Sequence, residues 1–287
     1  MLGAVSHATD TLGLMTYVTC PTVRYHPAVV VAQKAATVAL LSGDRFTLGL
    51  GAGENLNEHV VGRNWPPVNV RHEMLAEALD IITALFDGGY VTYRGTLFHV
   101  DSARVWDLPD RRVPIGVAVS GQQSINMFAA LADVMIATEP DEALAPAWDA
   151  ARSGLASRKV GQLPISWDSD AEAAVARAQE QFRWFAGGWK VNSELPGTAG
   201  FAAAGQFVRP EEVASQIPVA TPSTRWSRRC VHSSGPGSEV RWYRSVQTPR
   251  PASSPRRRRN CFPRWRRPSA EPPFSPADEC GRRDHLT

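Results

Sequence analysis

The sequence predicts an α/β protein of the TIM (β/α)8 barrel type. Apolar strands alternate with amphipathic helices through residues 1–218. Most of these strands are continuous apolar runs, which is typical of parallel strands covered on both faces. Polar side chains follow several strands directly, where barrel enzymes carry their chemistry, and eight such units close a barrel of about 250 residues.

Strands and helices alternate from the first residues of the chain. Residues 2–8 read as the last turns of a helix, and residues 12–18 (LGLMTYV) as a buried strand. Pro27 suits a first helical turn, and apolar residues recur at helical spacing after it. Beyond the helical residues 2–8, the prediction comprises strands at 12–18, 46–50, 115–119, 134–137 and 162–167, a hairpin at 90–92 and 97–100, and helices at 27–41, 70–86, 123–131, 141–151 and 170–185.

Composition divides the chain into two parts. Residues 1–218 contain 16 Lys and Arg against 23 Asp and Glu, and they read as a globular domain. Residues 219–287 contain 15 Arg, no Lys, 10 Pro and 10 Ser, with seven residues of Val, Phe and Leu. Such a segment cannot bury enough apolar surface to offset its ordering entropy, so we expect a disordered basic tail.

The segment at 46–58 (FTLGLGAGENLNE) is the strongest indication of a site. An apolar strand leads into Gly51-Ala52-Gly53 and then presents Glu54 and Asn57 beyond its C-terminal end. Glycines let a backbone approach a ligand, and polar groups after a parallel strand point into the crevice where such folds bind ligands. The alternative interpretation is an ordinary βα loop in which Glu54 caps the following helix.

Three further loops also follow strands and would share the same rim of a barrel. They are residues 19–22 with Cys20, residues 120–122 (Ser120-Gly121-Gln122), and Thr138-Glu139. Taken one at a time, Cys20, Ser120 and Thr138 are the types of residue that also serve as caps or in turns. Because all of these loops would lie at the same rim, a role in an active site is favoured over capping.

Several other features indicate structure rather than chemistry. His26, His59 and His72 lie at or near helix starts, and we expect surface or capping roles for them. Trp184, Phe185 and Trp189 lie around a Gly-Gly pair, and an aromatic stripe at helical spacing is more often core than a substrate wall. Three of the four cysteines lie in the tail without metal-ligand spacing, so no metal site is predicted. No secretory leader or membrane span is evident, which makes a cytoplasmic protein the expectation.

The chain resembles the luciferase-like superfamily, specifically the coenzyme F420-dependent oxidoreductases in the branch that includes F420-dependent glucose-6-phosphate dehydrogenase. The match is carried by VTCPT at 18–22 with RYHPA at 24–28, by GAGENLNE at 51–58, and by the stretch 89–100. The resemblance implies that Glu54 acts in proton transfer beside the hydride acceptor, and that Thr138 lies on the substrate side. It implies a non-proline cis peptide at Tyr17-Val18 against the deazaflavin. The implied cofactor-binding residues are Tyr17, Val18, Cys20, Ala52, Gly53, Asn57, Ser120, Gly121 and Gln122.

The resemblance also implies the chemistry. An alcohol that gives up a hydride to F420 must also lose a proton, and a nearby carboxylate is the natural base. Asp141 stands where the sugar-phosphate dehydrogenases place a phosphate-binding lysine, and a carboxylate there repels phosphate, so the substrate is not expected to be glucose 6-phosphate. The alternatives are an FMN-dependent monooxygenase of the same superfamily and, in another class, a nucleic-acid-binding protein using its Arg-rich tail. A structureless basic tail is weak support for nucleic acid, which is not the expected partner.

Against this family pattern, Met1 falls within the second helix of such a barrel. The first two strands and the last strand are therefore expected to be missing, together with an active-site histidine for which no residue can be nominated. The tail is expected to be a frameshifted reading of the usual C-terminus, because codons for residues 256–265 (RRRRNCFPRW) permit a helix-like sequence in a displaced frame. We expect little activity from such a chain. The resemblance leaves a homodimer open for the full-length family form.

Overall fold

A parallel sheet is the centre of the fold in this computed structural model, which describes residues 1–22, 26–62, 65–139, 141–153, 155–221 and the backbone of 240–247. The strands of these residues are β1 (Leu14–Met15), β2 (Phe46–Leu50), β3 (Val91–Arg94), β4 (His99–Ala103), β5 (Ile115–Val119), β6 (Val134–Ala137), β7 (Arg158–Trp167), β8 (Val219–Ala220) and β9 (Val240–Gln247). The order in the sheet is β1-β2-β5-β6-β7-β8, with β9 also pairing β7, and every pairing is parallel. The predicted α/β fold with a parallel sheet is confirmed.

The helices cover the sheet in the predicted alternation. In the described residues they are α1 (Leu2–His7), α2 (Ala28–Ser42), α3 (Asn55–Glu58), α4 (Val68–Phe86), α5 (Gln122–Phe128), α6 (Leu144–Ala151), α7 (Ala171–Phe182), α8 (Gly188–Asn192), α9 (Thr198–Ala204) and α10 (Pro210–Gln216). The long predicted helices agree with α2, α4 and α7 to within three residues at each end. The prediction did not include α3 or the short helices α8 to α10.

Both faces of the sheet are covered by apolar side chains. In β6, Met135 and Ala137 belong to the large core that the sheet forms with the helices. Val134 and Ile136 alternate with them and pack with Val160 in a second apolar cluster. Because successive side chains of a strand point to opposite faces, these two clusters lie on opposite sides of the sheet. This explains why the strands read as continuous apolar runs.

A buried ion pair fastens β7 to α6. The Lys159 side chain is 1% exposed, and its Nζ lies 2.6 Å from Oδ1 of Asp149, which is 26% exposed. An ammonium group this deeply buried requires a counter-charge. Lys159 is therefore a structural residue, and Asp149 is its partner.

The β3–β4 hairpin is held by a carboxylate from α4. The Glu77 carboxylate accepts hydrogen bonds from the backbone N–H groups of Thr96, Leu97 and Phe98 at 2.8–3.3 Å. A Cβ atom at Gly95 would come within 2.3 Å of Glu77 Oε2. The turn is thus built around this carboxylate.

The structure differs from the prediction after residue 218. Residues 219–287 were expected to be disordered and the last strand missing, yet Val219–Ala220 and Val240–Gln247 form β8 and β9 beside β7. The sequence VRWYRSVQ at 240–247 is rich in β-branched and aromatic residues, which favour strands irrespective of the charge around them. Residues 222–239 and 248–287 lie outside the described residues. The frameshift origin of the tail stays a prediction.

None of the helices in the part of the chain that the structure describes is both long and apolar enough to cross a bilayer.

Candidate active site

The loops named from the sequence lie at one edge of the sheet. They follow β1, β2, β5 and β6, which are neighbours in the sheet and run parallel, so their C-terminal ends meet at the same edge. A direct contact joins the two ends of this series: the Tyr17 hydroxyl donates a hydrogen bond of 2.6 Å to the Ala137 carbonyl. The rim therefore begins at Tyr17 and ends beside Thr138.

The segment after β1 lies unusually close to β2. The peptide bond between Tyr17 and Val18 is cis, as the resemblance implied. A Cβ atom at Gly49 would stand 2.0 Å from the Thr16 carbonyl oxygen, and one at Gly51 would stand 2.7 Å from Val18 Cγ2. Two chain segments can lie this close together only where one of them carries no side chain. The glycines of the motif thus serve the contact between these two segments.

Glu54 does not act as a helix cap. It occupies the N-cap position of α3 with extended backbone angles, and its side chain makes no capping hydrogen bond. The Asn57 side-chain amide instead donates to Glu54 Oε1. Partial burial raises the pKa of the Glu54 carboxyl above its usual range. The interpretation of Glu54 as a cap is wrong, whereas its role in proton transfer stays a prediction.

A second carboxyl, Glu58, lies one helical turn from Glu54. Glu58 is 9% exposed. Burial raises its pKa and the charge of Glu54 adds to this, while a hydrogen bond with Thr22 acts in the opposite direction. Both Glu58 Cγ and Cys20 Cβ lie within 3.5 Å of where a Gly53 Cβ would stand, and Gly53 has a left-handed φ of +85°. Burial and these carboxylates raise the pKa of the Cys20 thiol to about 12, so this thiol is neutral.

The remaining rim residues are ordered by local contacts. The Ser124 hydroxyl accepts from the Ser120 N–H at 3.2 Å and donates to the Gly121 carbonyl at 2.8 Å. The Gln122 amide donates to Asn126 Oδ1 at 2.7 Å, along α5. A Cβ atom at Gly121 would meet open space. This turn therefore leaves room above the end of β5.

The end of β6 carries negative charge. Thr138 and Glu139 are half-buried there. Burial raises the pKa of the Glu139 carboxyl, with a smaller contribution from the charge of Asp141, and a hydrogen bond from the Trp189 backbone lowers it. The carboxyl groups of Glu139 and Asp141, two residues apart, make this side of the rim unsuited to an anionic group.

A distant segment is fastened to the rim by an ion pair. Arg71 of α4 is 5% exposed, and its Nη2 lies 2.6 Å from Oε1 of Glu194. Its Nη1 donates to the Gly53 carbonyl at 3.2 Å, and its guanidinium carbon lies 4.2 Å from the centre of the Trp65 ring. Trp65 Nε1 in turn donates to Glu194 Oε2 at 2.9 Å. Arg71 therefore links Glu194 to the peptide immediately before Glu54.

His72 and the Trp184–Phe185 pair both pack against apolar side chains. His72 was expected at the surface or as a cap, but it is 8% exposed in α4 and makes an edge contact with Phe128, with ring centres 5.9 Å apart. The helix begins at Val68, so His72 falls inside it rather than at its start. Trp184 and Phe185 pack on a small apolar cluster that includes Phe182, as the core interpretation expected.

The structure brings some of the nominated residues together. Cys20, Gly53, Glu54 and Asn57 form one contact group, and Tyr17 reaches the strand that precedes Thr138. Their individual roles, and those of Val18, Ala52, Ser120, Gly121 and Gln122, stay predictions.

Three residues of the site, Glu58, Arg71 and Glu194, were not predicted from the sequence. Glu58 could have been found from its four-residue spacing from Glu54, but Arg71 and Glu194 are 123 residues apart and give no local signal.

Comparisons with known proteins identify relatives of this chain. The family model described as luciferase-like monooxygenase matches residues 1–240. An F420-dependent glucose-6-phosphate dehydrogenase of Microbacterium testaceum is 39% identical over 154 residues, which are 52% of this chain and 46% of that protein. An F420-dependent hydroxymycolic acid dehydrogenase of Mycobacterium tuberculosis is 35% identical over 194 residues, covering 65% of this chain and 53% of that protein.

A solved structure supports the fold. An F420-dependent secondary alcohol dehydrogenase in complex with an F420-acetone adduct superposes with a TM-score of 0.69, at 23% identity, over 77% of this chain and 69% of that chain. The two curated relatives described before this structure are longer proteins, and the chain spans about half the length of each.

Proposed function

Because the chain belongs to the luciferase-like monooxygenase family, whose model matches residues 1–240, we propose that its rim is the site of an F420-dependent oxidoreductase. The proposed reaction is hydride transfer between coenzyme F420 and an alcohol or a related small molecule. The observation that carries the proposal is the state of Glu54, a partly buried carboxyl that is free of helix capping and raised in pKa at the rim.

The residues of the rim fit this cofactor. Gly121 leaves open space above the end of β5, where a side chain would otherwise stand. Around the rim, Ser120, Gln122 and Asn57 offer neutral hydrogen-bonding groups, and the Cys20 thiol is neutral. Such groups suit a polar heterocycle better than a metal ion. When bound, the cofactor supplies the carbon that accepts or gives the hydride.

Glu54 provides the proton transfer. Oxidation of an alcohol releases the hydroxyl proton as the hydride leaves carbon, and a carboxylate within hydrogen-bond reach accepts that proton. Asn57 donates to Glu54 Oε1, so Oε2 is the oxygen that we assign to accept the proton. A raised pKa brings the carboxyl closer to neutral pH, where it can both take up and return a proton.

The substrate is proposed to be uncharged at this end of the rim. Glu139 and Asp141 lie after β6, and their negative charge opposes a phosphate group. Glucose 6-phosphate, which appears in the name of one relative described above, is therefore not the substrate that we propose for this chain. A simple secondary alcohol is the better first substrate.

The test is a binding and turnover comparison with the purified 287-residue chain. F420 and FMN are titrated separately, and reduction of F420 is then followed with propan-2-ol and with glucose 6-phosphate. The proposal expects binding of F420 in preference to FMN. Because we expect little activity from this chain, turnover should be slow, and it should occur with the alcohol only. Preference for FMN would instead favour a flavin-dependent monooxygenase, and turnover with glucose 6-phosphate would refute the substrate assignment.

A further inference from the structure

The N-terminus of α3 is capped by a segment distant in sequence. The Asn55 backbone N–H donates to the Ser193 carbonyl at 2.9 Å, and the Asn55 side-chain amide donates to the Glu194 carbonyl at 2.9 Å. Asn55 is the first residue of α3. The first N–H groups of a helix have no partner within it, and the side chain of an N-cap residue commonly accepts from the N–H of the second or third helical residue. The N–H of the first residue, Asn55, is bound here by a carbonyl group more than 130 residues away.

We propose that Ser193 and Glu194 act as positioning residues for Glu54, by fixing the N-terminus of α3 immediately after it. This inference rests on the proposed function, because it assigns the reason why Glu54 is available at the rim. Arg71 binds the Gly53 carbonyl and Ser193 binds the Asn55 N–H, so the peptide groups on both sides of Glu54 are held. In this position the Glu54 side chain lies against Asn57 and does not cap its own helix.

The Glu194 carboxylate fixes this cap to the rim. Its two oxygens accept hydrogen bonds from Arg71 at 2.6 Å and from Trp65 at 2.9 Å. Arg71 also donates to the Gly53 carbonyl, so the same guanidinium holds both the capping segment and the peptide before Glu54. A charge-assisted bond to a buried guanidinium is the stronger kind of hydrogen bond. Loss of the Glu194 carboxylate should therefore release the cap.

The charges around Glu54 come from four directions. Glu58 of α3 and the neutral Cys20 thiol interact with Glu54 directly, whereas Arg71 of α4 binds the Gly53 carbonyl and, on its other side, Glu194 from the segment after α8. Removal of the cap would free the Glu54 carboxylate to accept the N–H of the second or third residue of α3, as N-cap side chains commonly do. Hydrogen bonds to the ionised form lower a carboxyl pKa. Release of the cap should thus move the pKa of Glu54 downward from its raised value.

The experiment compares Glu194→Ala and the milder Glu194→Gln with Glu180→Ala, an exposed control on α7. The full chain is labelled with ¹³C at glutamate side-chain carboxyls, and the Glu54 signal is assigned with Glu54→Gln. We expect the Glu54 titration to move to lower pH in Glu194→Ala, to move less in Glu194→Gln, and to stay in place in the control. Hydrogen exchange at the Asn55 amide should accelerate at least about tenfold in Glu194→Ala, with α4 amides unchanged as a check on folding.

A purely structural role for Glu194 would give a different result. If the Asn55 amide exchanged faster while the Glu54 titration stayed in place, the positioning inference would be overturned, as it would if neither changed. In F420-dependent turnover, the acidic limb of the pH–rate profile should move to lower pH, with kcat falling about tenfold and KM little changed. A shifted Glu54 titration in a chain that does not use F420 would uphold the capping inference and refute the proposed function.

Discussion

Removal of Asp149 should destabilise the fold far more than removal of its partner Lys159. The Asp149→Ala substitution leaves an ammonium group that is 1% exposed without a counter-charge. Breaking a buried pair in this way costs about 3–5 kcal/mol. The Lys159→Met substitution instead leaves Asp149, which is 26% exposed and can be hydrated by water. Met fills most of the lysine stem, so this change should cost about 1 kcal/mol or less.

The assay is urea unfolding of both single variants and the double variant, followed by circular dichroism. The double variant should resemble Lys159→Met rather than the sum of the singles, because the penalty of Asp149→Ala exists only while the buried charge is present. Equal denaturant slopes would show that the comparison concerns stability alone. A cost for Lys159→Met that equals or exceeds that of Asp149→Ala would refute the reasoning.

Three further predictions follow from contacts near the rim and the hairpin. Gly49→Ala should cost about 3 kcal/mol because its Cβ would stand 2.0 Å from the Thr16 carbonyl, whereas Gly13→Ala, which meets nothing within 4 Å, should be nearly neutral in thermal unfolding. Glu77→Ala should cost about 1–3 kcal/mol and speed hydrogen exchange at residues 96–98, and unchanged exchange there would contradict the assigned role. Glu58 has a raised pKa, so the folded state binds more protons and stability falls as pH rises above about 4.3. Glu58→Gln should therefore gain stability relative to the native chain between pH 4 and pH 8, and a constant difference across that range would show otherwise.

The sequence was informative wherever a pattern was local. Alternating apolar strands and helices predicted the parallel sheet, and the strand-to-glycine transition at Leu50-Gly51 predicted the loop that carries Glu54. Both depend on residues that are adjacent in the chain. The cis peptide at Tyr17 came from the family resemblance, since no local pattern specifies it.

The missed features depend on contacts between distant residues. Arg71 and Glu194 meet only after the chain has folded, and the capping of α3 by Ser193 is visible in neither segment alone. The β9 strand was missed because the composition of the whole tail outweighed an eight-residue stretch of strand-forming residues. Composition describes a long segment on average, whereas pairing with β7 depends on a short one.

The most direct test of the account is the rate of hydride transfer to F420 in Glu54→Gln. Stopped-flow absorbance with propan-2-ol should show a rate about 10²–10⁴-fold below that of the native chain, because the general base is lost. Glu180→Gln is the control. The affinity for F420 should change little, because the substitution is isosteric. An unchanged rate of hydride transfer in Glu54→Gln would contradict the assignment of Glu54 as the base at this rim.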